Sequence, residues 1–367
     1  MFDERENMHN IITKALLTAM LIPIIITQAG CSSKTGAAAQ GGTASGAAST
    51  EPYSKQSFYF DTVCAITVYD MENMSQANAD AAIEDAFALC RKYEQMLSKT
   101  IEGSDIWNVN HAEGKPVEVQ DDTAKLVQMG IDYGDLSGGC FDITIGKAED
   151  LWDFHSDNPK VPDRDELAGA VKHVNYKTIH LSGNTITMED PEAEIDLGGI
   201  AKGYIADRVA EELAKDKVTS AIISLGGNIE CIGGKPSSDG ASQIPFNIGI
   251  ETPFSEMTQV TGSCKVTDGT LVTSGIYERF FEKDGVRYHH ILDPKTGYPV
   301  ENDVVGVTIR SSKGKSADCD ALSTTCLILG VDKGMKLIEG LDGFDALFID
   351  QDNQISKTSG MEFTPKN

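Results

Sequence analysis

The chain has 367 residues, a hydrophobic fraction of 40% and a formal net charge of -25 at pH 7. This length supports one large domain or two ordinary ones with a substantial core. Because so acidic a chain repels nucleic acid and anionic lipid, nucleic acid is excluded as a partner, and a bound phosphate would need backbone dipoles, a few local cations or a metal ion.

The N-terminal segment, residues 1–30, is predicted to be a lipoprotein signal peptide. Its apolar run at 15–27 has the length of a signal-peptide core and is too short to span a bilayer as a helix. The run ends in small residues followed by Cys31, as in a lipobox, although Gln28 replaces the usual aliphatic residue. We therefore expect Cys31 to be lipidated. Acidic residues ahead of Met8 do not suit a signal peptide, which favours initiation at Met8.

Residues 31–56 are predicted to be a lipid-anchored flexible tether. Residues 32–50 consist of Ser, Gly, Ala, Thr and Gln with one Lys, a composition that cannot pack a core. A folded domain is predicted at 57–367. This organisation places the protein at the cell membrane, anchored by its lipid on the extracytoplasmic side.

The chain contains eight cysteines, and none of them forms a C-x-x-C pair that would indicate a zinc or redox site. With Cys31 assigned to the lipid, an odd number remains. Most of these lie in apolar surroundings, so we expect buried free thiols.

Hydrophobic periodicity predicts both strands and helices after residue 57. Helices are predicted at 76–97, 123–136, 165–173 and 316–329. Strands are predicted at 58–69, 220–232 (two, with a glycine bend), 247–250 and 344–349, with further strands within 270–309, a hairpin at 176–188, a glycine turn and strand at 137–145, and a strand, turn and helix at 194–213. Strands outnumber helices and occur in runs, which indicates an α+β fold with mixed or antiparallel sheets flanked by helices.

The Gly-Gly turn at 194–213 is the strongest local candidate for a binding site. Gly198 and Gly199 allow a tight turn and a close approach to a ligand. The following helix start attracts an anion, Lys202 adds a cation and Asp196 adds a carboxylate, which together indicate a phosphate handled with a metal ion. A plain strand-to-helix connection remains open, because neither the dinucleotide fingerprint nor the P-loop pattern is present.

Four motifs follow one another along the chain: Phe141-Asp142-Ile-Thr144, Asp196-Leu-Gly-Gly-Ile-Ala-Lys202-Gly203, His290-Ile-Leu-Asp293-Pro-Lys-Thr296-Gly297 and Asp320-Ala-Leu-Ser-Thr324. In order and spacing they resemble the FAD:protein FMN transferase family (ApbE), once named for thiamine-biosynthesis lipoproteins. The resemblance covers residues 57–350. Each motif is weak alone, and the ordered set is specific.

The resemblance implies a fold similar to the tunnelling-fold-like architecture of the flavin transferases. It also implies a reaction, in which FAD is split, FMN is transferred to a Thr hydroxyl of an acceptor protein and AMP leaves. Mg²⁺, or sometimes Ca²⁺, is required, and some members mainly hydrolyse FAD. Exported members modify proteins of membrane or extracellular electron-transport systems, so the implied partners are FAD and an acceptor flavoprotein of that kind.

The resemblance further implies the residues that bind the flavin nucleotide: Cys140, Phe141, Asp142, Asp196 and Lys202. By its own features Phe141 is equally well explained as a core residue. Phe60 is a further candidate for stacking on a ring. It lies where the family often has Met-Gly-Thr, whereas this chain has Phe60-Asp61-Thr62.

A metal site is implied by Asp320 and Thr324, which are spaced i, i+4 and so share one side of the predicted helix. A carboxylate, a hydroxyl and a main-chain oxygen suit a hard cation and leave room for phosphate oxygens. The resemblance assigns the main-chain oxygen to Ala201 and selects Asp320 over Asp318. The alternative is a helix N-cap and a helix-face hydroxyl with no ligand.

His290 is the candidate general base, because a neutral imidazole can take the proton of an attacking hydroxyl at neutral pH. The turn at Asp293-Pro294 is expected to fix its position. The resemblance selects His290 over His289, since the matching His directly precedes the aliphatic pair and Asp-Pro. A histidine that only hydrogen-bonds a turn remains the alternative.

Two other functions stay open. An FAD pyrophosphatase would release FMN and AMP without an acceptor. A lipid-anchored flavin- or solute-binding protein would share the anchor and tether, but pure binding needs neither the metal pair nor His290.

Overall fold

The computed structural model describes residues 51–154, 156, 158–255 and 259–366. The predicted signal peptide, Cys31 and the tether up to residue 50 lie outside the described residues. Among the residues described, we find no helix with the length and apolar character needed to cross a bilayer.

Within the described residues there are eight α-helices and eighteen β-strands. The helices are α1 (Gln76–Leu97), α2 (Asp105–Asn110), α3 (Asp121–Ser137), α4 (Gly146–Asp150), α5 (Arg164–Val171), α6 (Ala201–Lys215), α7 (Ser316–Leu329) and α8 (Val331–Glu339). The strands are β1 (Tyr53–Tyr59), β2 (Thr62–Met71), β3 (Val117–Glu118), β4 (Ile179–Ser182), β5 (Thr185–Met188), β6 (Val218–Leu225), β7 (Asn228–Ile232), β8 (Lys235–Pro236), β9 (Gln243–Ile244), β10 (Phe246–Glu251), β11 (Val260–Val266), β12 (Gly269–Gly275), β13 (Phe280–Lys283), β14 (Val286–His289), β15 (Val304–Ser312), β16 (Asp345–Asp350), β17 (Ile355–Lys357) and β18 (Thr364–Pro365).

One eight-stranded sheet organises the molecule, in the order β1-β2-β6-β7-β12-β15-β16-β17, with every neighbouring pair antiparallel. Side chains alternate between its faces. On β6, Ile223 joins the large core beneath α1, α6 and α7, and Ile222 joins a smaller core beneath the β10-β11-β18 sheet. Helices, central sheet and small sheet therefore form three layers, and the predicted α+β fold is confirmed.

The N-terminal halves of α6 and α7 are joined by hydrogen bonds and by a close approach of their backbones. The residue preceding α7 provides no side-chain cap. Instead, the carboxylate of Asp207 on α6 accepts the N–H groups of Ser316 at 3.0 Å and Ala317 at 3.1 Å. A Cβ at Gly203 would lie 2.2 Å from the carbonyl oxygen of Ser316, so the backbones approach as closely as only glycine allows.

We expect Gly203→Ala to destabilise the fold, because the new methyl group would force α6 and α7 apart. Overpacking of this kind costs about 1–3 kcal/mol in the free energy of unfolding. Gly169→Ala in α5 is the matched control, since its Cβ would meet nothing within 4 Å, and we expect a gain of about 0.5–1 kcal/mol. Urea unfolding of both variants measures the difference, and equal stabilities would refute this account of the helix contact.

Several predicted elements are confirmed. The helices at 76–97 and 316–329 have the predicted bounds. The hairpin at 176–188 contains β4 and β5, with residues Tyr176–Thr178 forming a 3₁₀ turn ahead of β4. The glycine bend at 220–232 separates β6 from β7.

The prediction of one strand over 58–69 is wrong. Phe60 and Asp61, each with φ of 55°, form the turn that separates β1 from β2, so the segment is a hairpin. The sequence pattern did not show this turn, because the aromatic residues at 58–60 lead directly into the β-branched run of β2.

The strands predicted at 137–145 and 194–197 are also wrong. Asp142 Oδ1 accepts both the N–H and the hydroxyl of Thr144, at 2.9 and 2.6 Å, and this side-chain turn replaces a ladder. All that remains of pairing between the two segments is an isolated parallel bridge from Ile145 to Glu194.

The cysteines of the described residues are free thiols, as predicted. Cys140 is half-buried, and the other six are buried: Cys64, Cys90, Cys231, Cys264, Cys319 and Cys326.

Candidate active site

A cavity of about 1480 Å³ opens between the central sheet, the small sheet, the start of α6 and one face of α7. One arm reaches the apolar core between the two sheets, where it is lined by Ile222, Ile229, Ile248 and Leu271. The opposite end is polar and is lined by Asp196, Lys202, Glu278, His290, Asp320 and Thr324. The cavity therefore offers one apolar and one charged compartment.

The Gly-Gly turn forms one wall of the polar end. Asp196 Oδ1 accepts the N–H of Gly198 at 2.6 Å, and α6 begins directly after the turn. Lys202 extends its Nζ to within 3.3 Å of the carbonyl oxygen of Gly198, so its charge lies over the turn. The main-chain N–H of Lys202 donates to none of the described residues. A free N–H, a lysine and the positive end of a helix dipole are groups that would favour an anion at this turn.

Asp320 and Thr324 lie on α7 and face the same cavity. Asp320 Oδ2 accepts the N–H of Gly203 at 2.9 Å, whereas its Oδ1 accepts no hydrogen bond from the described residues. The Thr324 hydroxyl is without a hydrogen-bond partner in the same set of residues, and it would lie 3.7 Å from a Cβ on Gly199. The structure thus brings the predicted acid and alcohol to the glycine turn.

The oxygen set fits a hard divalent cation that also binds substrate. One carboxylate oxygen and one hydroxyl are available, and Ala201 is the first residue of α6, two positions before Gly203. The described residues contain no group of three or more His, Cys, Asp or Glu side chains at metal-binding spacing. A cation at this place would therefore depend on phosphate oxygens for the rest of its coordination.

His290 lines the polar end directly after β14. Its Nδ1 donates to the carbonyl oxygen of Arg279 at 3.1 Å, because a carbonyl can only accept, and this leaves the lone pair on Nε2. Desolvation in the cavity wall and the charge of Arg279 lower the pKa of His290 to about 3, so the ring is neutral at pH 7. The ring is hydrogen-bonded to Arg279 and not to the 293–294 turn, where the carboxylate of Asp293 accepts the N–H of Lys295.

The remaining predicted flavin residues differ in their placement. Cys140, Phe141 and Asp142 line the cavity. Phe141 is only 5% exposed, and its ring would lie 3.0 Å from a Cβ on Gly199. The ring therefore packs against the glycine turn. Phe60 does not line the cavity, although residues 58 and 61–63 do. The turn in which Phe60 lies instead binds Glu94 Oε1 through the Phe60 N–H, at 2.8 Å.

The structure also places residues at the site that the sequence did not indicate, among them Glu149, with Lys99 behind it. Lys99 Nζ lies 3.0 Å from Asp196 Oδ2 and 3.4 Å from Glu149 Oε2, and Glu149 lines the cavity beside Asp196. No local motif marked either residue, because the contacts join distant segments of the chain.

Comparisons with known proteins identify the family of this chain. The sequence model of the ApbE family matches residues 60–348. An FAD:protein FMN transferase of Treponema pallidum (strain Nichols) is 34% identical over 331 residues, which is 87% of this chain and 90% of the relative. Another FAD:protein FMN transferase, from Klebsiella pneumoniae (strain 342), is 33% identical over 291 residues, 78% of this chain and 88% of the relative.

Solved structures support the same grouping. An ApbE protein from Thermotoga maritima MSB8 has a TM-score of 0.75 and 31% identity, and the alignment covers 84% of this chain and 97% of that one. The flavin transferase ApbE from Vibrio cholerae has a TM-score of 0.71 and 27% identity, with the same coverage. The family predicted from the four motifs is confirmed: this chain belongs to the ApbE family.

Proposed function

We propose that this protein transfers FMN from FAD to a Thr hydroxyl of an acceptor protein and releases AMP, with Mg²⁺ or Ca²⁺ as its metal ion. The observation that carries the proposal is the convergence of Lys202, Asp320, Thr324 and His290 on one cavity at the start of α6. Relatives named FAD:protein FMN transferase supply the substrate class.

The shape of the cavity supports a dinucleotide. Its volume of about 1480 Å³ exceeds the roughly 300–1,000 Å³ of most small-molecule sites. FAD has two ring systems joined by a diphosphate. The apolar arm suits a ring, and the polar end suits the diphosphate.

Several groups hold the diphosphate in this proposal. Lys202 and the start of α6 attract its oxygens, and Asp320, Thr324 and the main-chain oxygen of Ala201 would hold the metal ion against them. The bound metal ion supplies positive charge that lowers the cost of charge on the phosphates. The rest of the proposed flavin-nucleotide site is lined by Cys140, Phe141, Asp142 and Asp196.

His290 acts as the base. The Thr oxygen attacks the phosphorus of the FMN half, the bond from that phosphorus to the bridging oxygen breaks, and AMP leaves with that oxygen. The Thr proton passes to Nε2 of His290, the nitrogen left with a lone pair by the bond to Arg279. Negative charge on the bound diphosphate raises the low pKa of the imidazole toward a value that suits this transfer.

The proposal includes the cellular setting predicted from the sequence. Lipidation at Cys31 would hold the domain on the extracytoplasmic side of the cell membrane. Its acceptor would be a flavoprotein of a membrane or extracellular electron-transport system. Metabolic labelling with a fatty acid tests the anchor, and a Cys31→Ser variant that is labelled as strongly as the wild type would contradict it.

The function is tested by incubating the purified protein with FAD and a candidate acceptor, with and without Mg²⁺, followed by mass spectrometry. A gain of one FMN on a Thr of the acceptor, together with AMP release, supports transfer. AMP release that is independent of the acceptor indicates an FAD pyrophosphatase. FAD binding without AMP release, with or without metal, would indicate a binding protein.

A further inference from the structure

We propose that Glu149 is an additional residue of the flavin-nucleotide site, present as a neutral carboxyl group that donates a hydrogen bond to Asp196, and that Lys99 is a positioning residue that holds this pair from behind the cavity wall. The identity of the ligand rests on the function proposed above. The protonation state of Glu149 is argued from its burial and its charged neighbours and does not depend on that function.

The geometry gives the two acids unequal partners. Asp196 Oδ1 accepts the N–H of Gly198 at 2.6 Å, and its Oδ2 lies 3.0 Å from Lys99 Nζ. Glu149 Oε2 lies farther from that nitrogen, at 3.4 Å. All three charged side chains are largely buried, with exposures of 16% for Lys99, 17% for Asp196 and 21% for Glu149. Asp196 is therefore the better stabilised anion.

Glu149 and Asp196 share the ammonium group of Lys99, and both line the cavity. Two buried acids on one cation repel each other when both are ionised, and one proton between them removes the repulsion. Burial and the negative charge of Asp196 raise the pKa of Glu149 to about 8. Burial alone would raise the pKa of Asp196, but the charge of Lys99 and hydrogen bonds from Glu149 and Gly198 lower it to about 2. The proton therefore belongs to Glu149 at pH 7.

The other charged groups around the pair do not reverse this assignment. Asp150 on α4 lies 2.7 Å from Lys99 Nζ and is 55% exposed. Its charge adds to that of Asp196 in disfavouring ionised Glu149. Glu194, ahead of the glycine turn, has a raised pKa through burial and Asp150. Lys99 is the cation that offsets these acids, and it does not line the cavity.

A consequence for binding follows. When Glu149 is neutral, the positive charge of Lys99 balances the negative charge of Asp196. This part of the cavity wall then does not repel an anionic diphosphate. Ionised Glu149 would add a negative charge next to the substrate. We expect the Kd of the wild type for FAD to rise by roughly tenfold between pH 7 and pH 9, as Glu149 loses its proton.

The test compares the wild type, Glu149→Gln and the control Glu192→Gln by fluorescence titration with FAD from pH 6 to pH 9. Glutamine mimics the neutral carboxyl and cannot ionise, so Glu149→Gln should lose the alkaline weakening, and its Kd for FAD should stay constant between pH 7 and pH 9. Glu192→Gln removes one charge from an exposed ion pair with Lys147 and should behave as wild type. If Glu149→Gln weakens with pH as the wild type does, the proposal is overturned.

Lys99→Met and Lys99→Arg test the positioning role. Because the charge of Lys99 favours ionised Glu149, its removal should shift the alkaline weakening to higher pH, and FAD should bind more weakly at pH 7 because Asp196 is no longer fixed. Arginine should restore both properties. A merely structural role would lower stability without moving the pH profile, and an unmoved profile in a folded Lys99→Met protein would overturn this part.

Isotope-edited infrared spectroscopy of the protein without FAD separates this inference from the proposed function. A protonated carboxyl band at pH 7 that is absent in Glu149→Gln supports it, and a spectrum without such a band overturns it. A wild-type protein that shows the band and does not bind FAD would overturn the proposed function and the ligand assignment.

Discussion

Replacement of His290 by alanine is expected to lower the rate of FMN transfer by about 10²–10⁴-fold, the usual contribution of a general base. The physical reason is the fixed tautomer: the bond from Nδ1 to the carbonyl oxygen of Arg279 leaves Nε2 as the proton acceptor on a neutral ring. FAD binding should persist, because Lys202 and the start of α6, which hold the diphosphate in the proposed function, are left in place. Single-turnover transfer and an FAD titration measure the two effects separately.

His289→Gln is the control for this variant. His289 is adjacent in sequence and buried, with its Nε2 bonded to the carbonyl oxygen of Val300 at 3.2 Å, and it does not line the cavity. We expect it to lower stability and to leave the transfer rate of the folded protein within about threefold, since no interaction with the reacting atoms is lost. If His290→Ala transferred FMN at the wild-type rate, the base would have to be another group.

Replacement of Asp320 by asparagine is expected to lower the metal-dependent activity by at least about 10²-fold, comparable to the loss of other ligand or charge-stabilising groups. The amide oxygen can still accept the N–H of Gly203, so the joint between α6 and α7 is retained. The other atom at the metal position then becomes an NH₂ group, which cannot bind a cation. Titration with Mg²⁺ should show a much higher concentration for half-maximal rate.

Asp318→Asn is the matched control, because it makes the same change two residues away. Asp318 accepts the hydroxyl of Tyr133 at 2.6 Å and pairs with Lys315 at 3.2 Å, and it does not line the cavity. We expect its Mg²⁺ dependence to match that of the wild type. Equal losses in the two variants, or a normal Mg²⁺ titration in Asp320→Asn, would remove Asp320 from the metal site.

The sequence predicts the parts of this structure that depend on residue spacing within one segment. Helix α1 is marked by apolar residues on one face, and its Ile83, Phe87 and Cys90 are buried as that spacing requires. Asp320 and Thr324 are four residues apart on one helix, so their common direction follows from helical geometry alone. Their approach to the glycine turn depends on the packing of α6 against α7, which only the resemblance implied.

The parts that sequence did not predict depend on tertiary contacts or on turns without a strong signal. Lys99 and Glu149 meet Asp196 across three separate segments. The partner of His290 is Arg279, which the β13-β14 hairpin brings opposite to it, rather than the nearer Asp293. Hydrophobic periodicity in the sequence does not predict such contacts between distant segments.

The carboxylate that Asp207 places against the first turn of α7 has a consequence for motion. The same two helices are joined again where Gly203 donates to Asp320, so the glycine turn and the face of α7 that bears Asp320 and Thr324 should move together. Their amide protons at 203, 316 and 317 should then exchange with solvent at a common rate, because opening one requires opening all. We therefore expect a substitution that breaks any of these hydrogen bonds to displace both the glycine turn and Asp320, rather than only one of them.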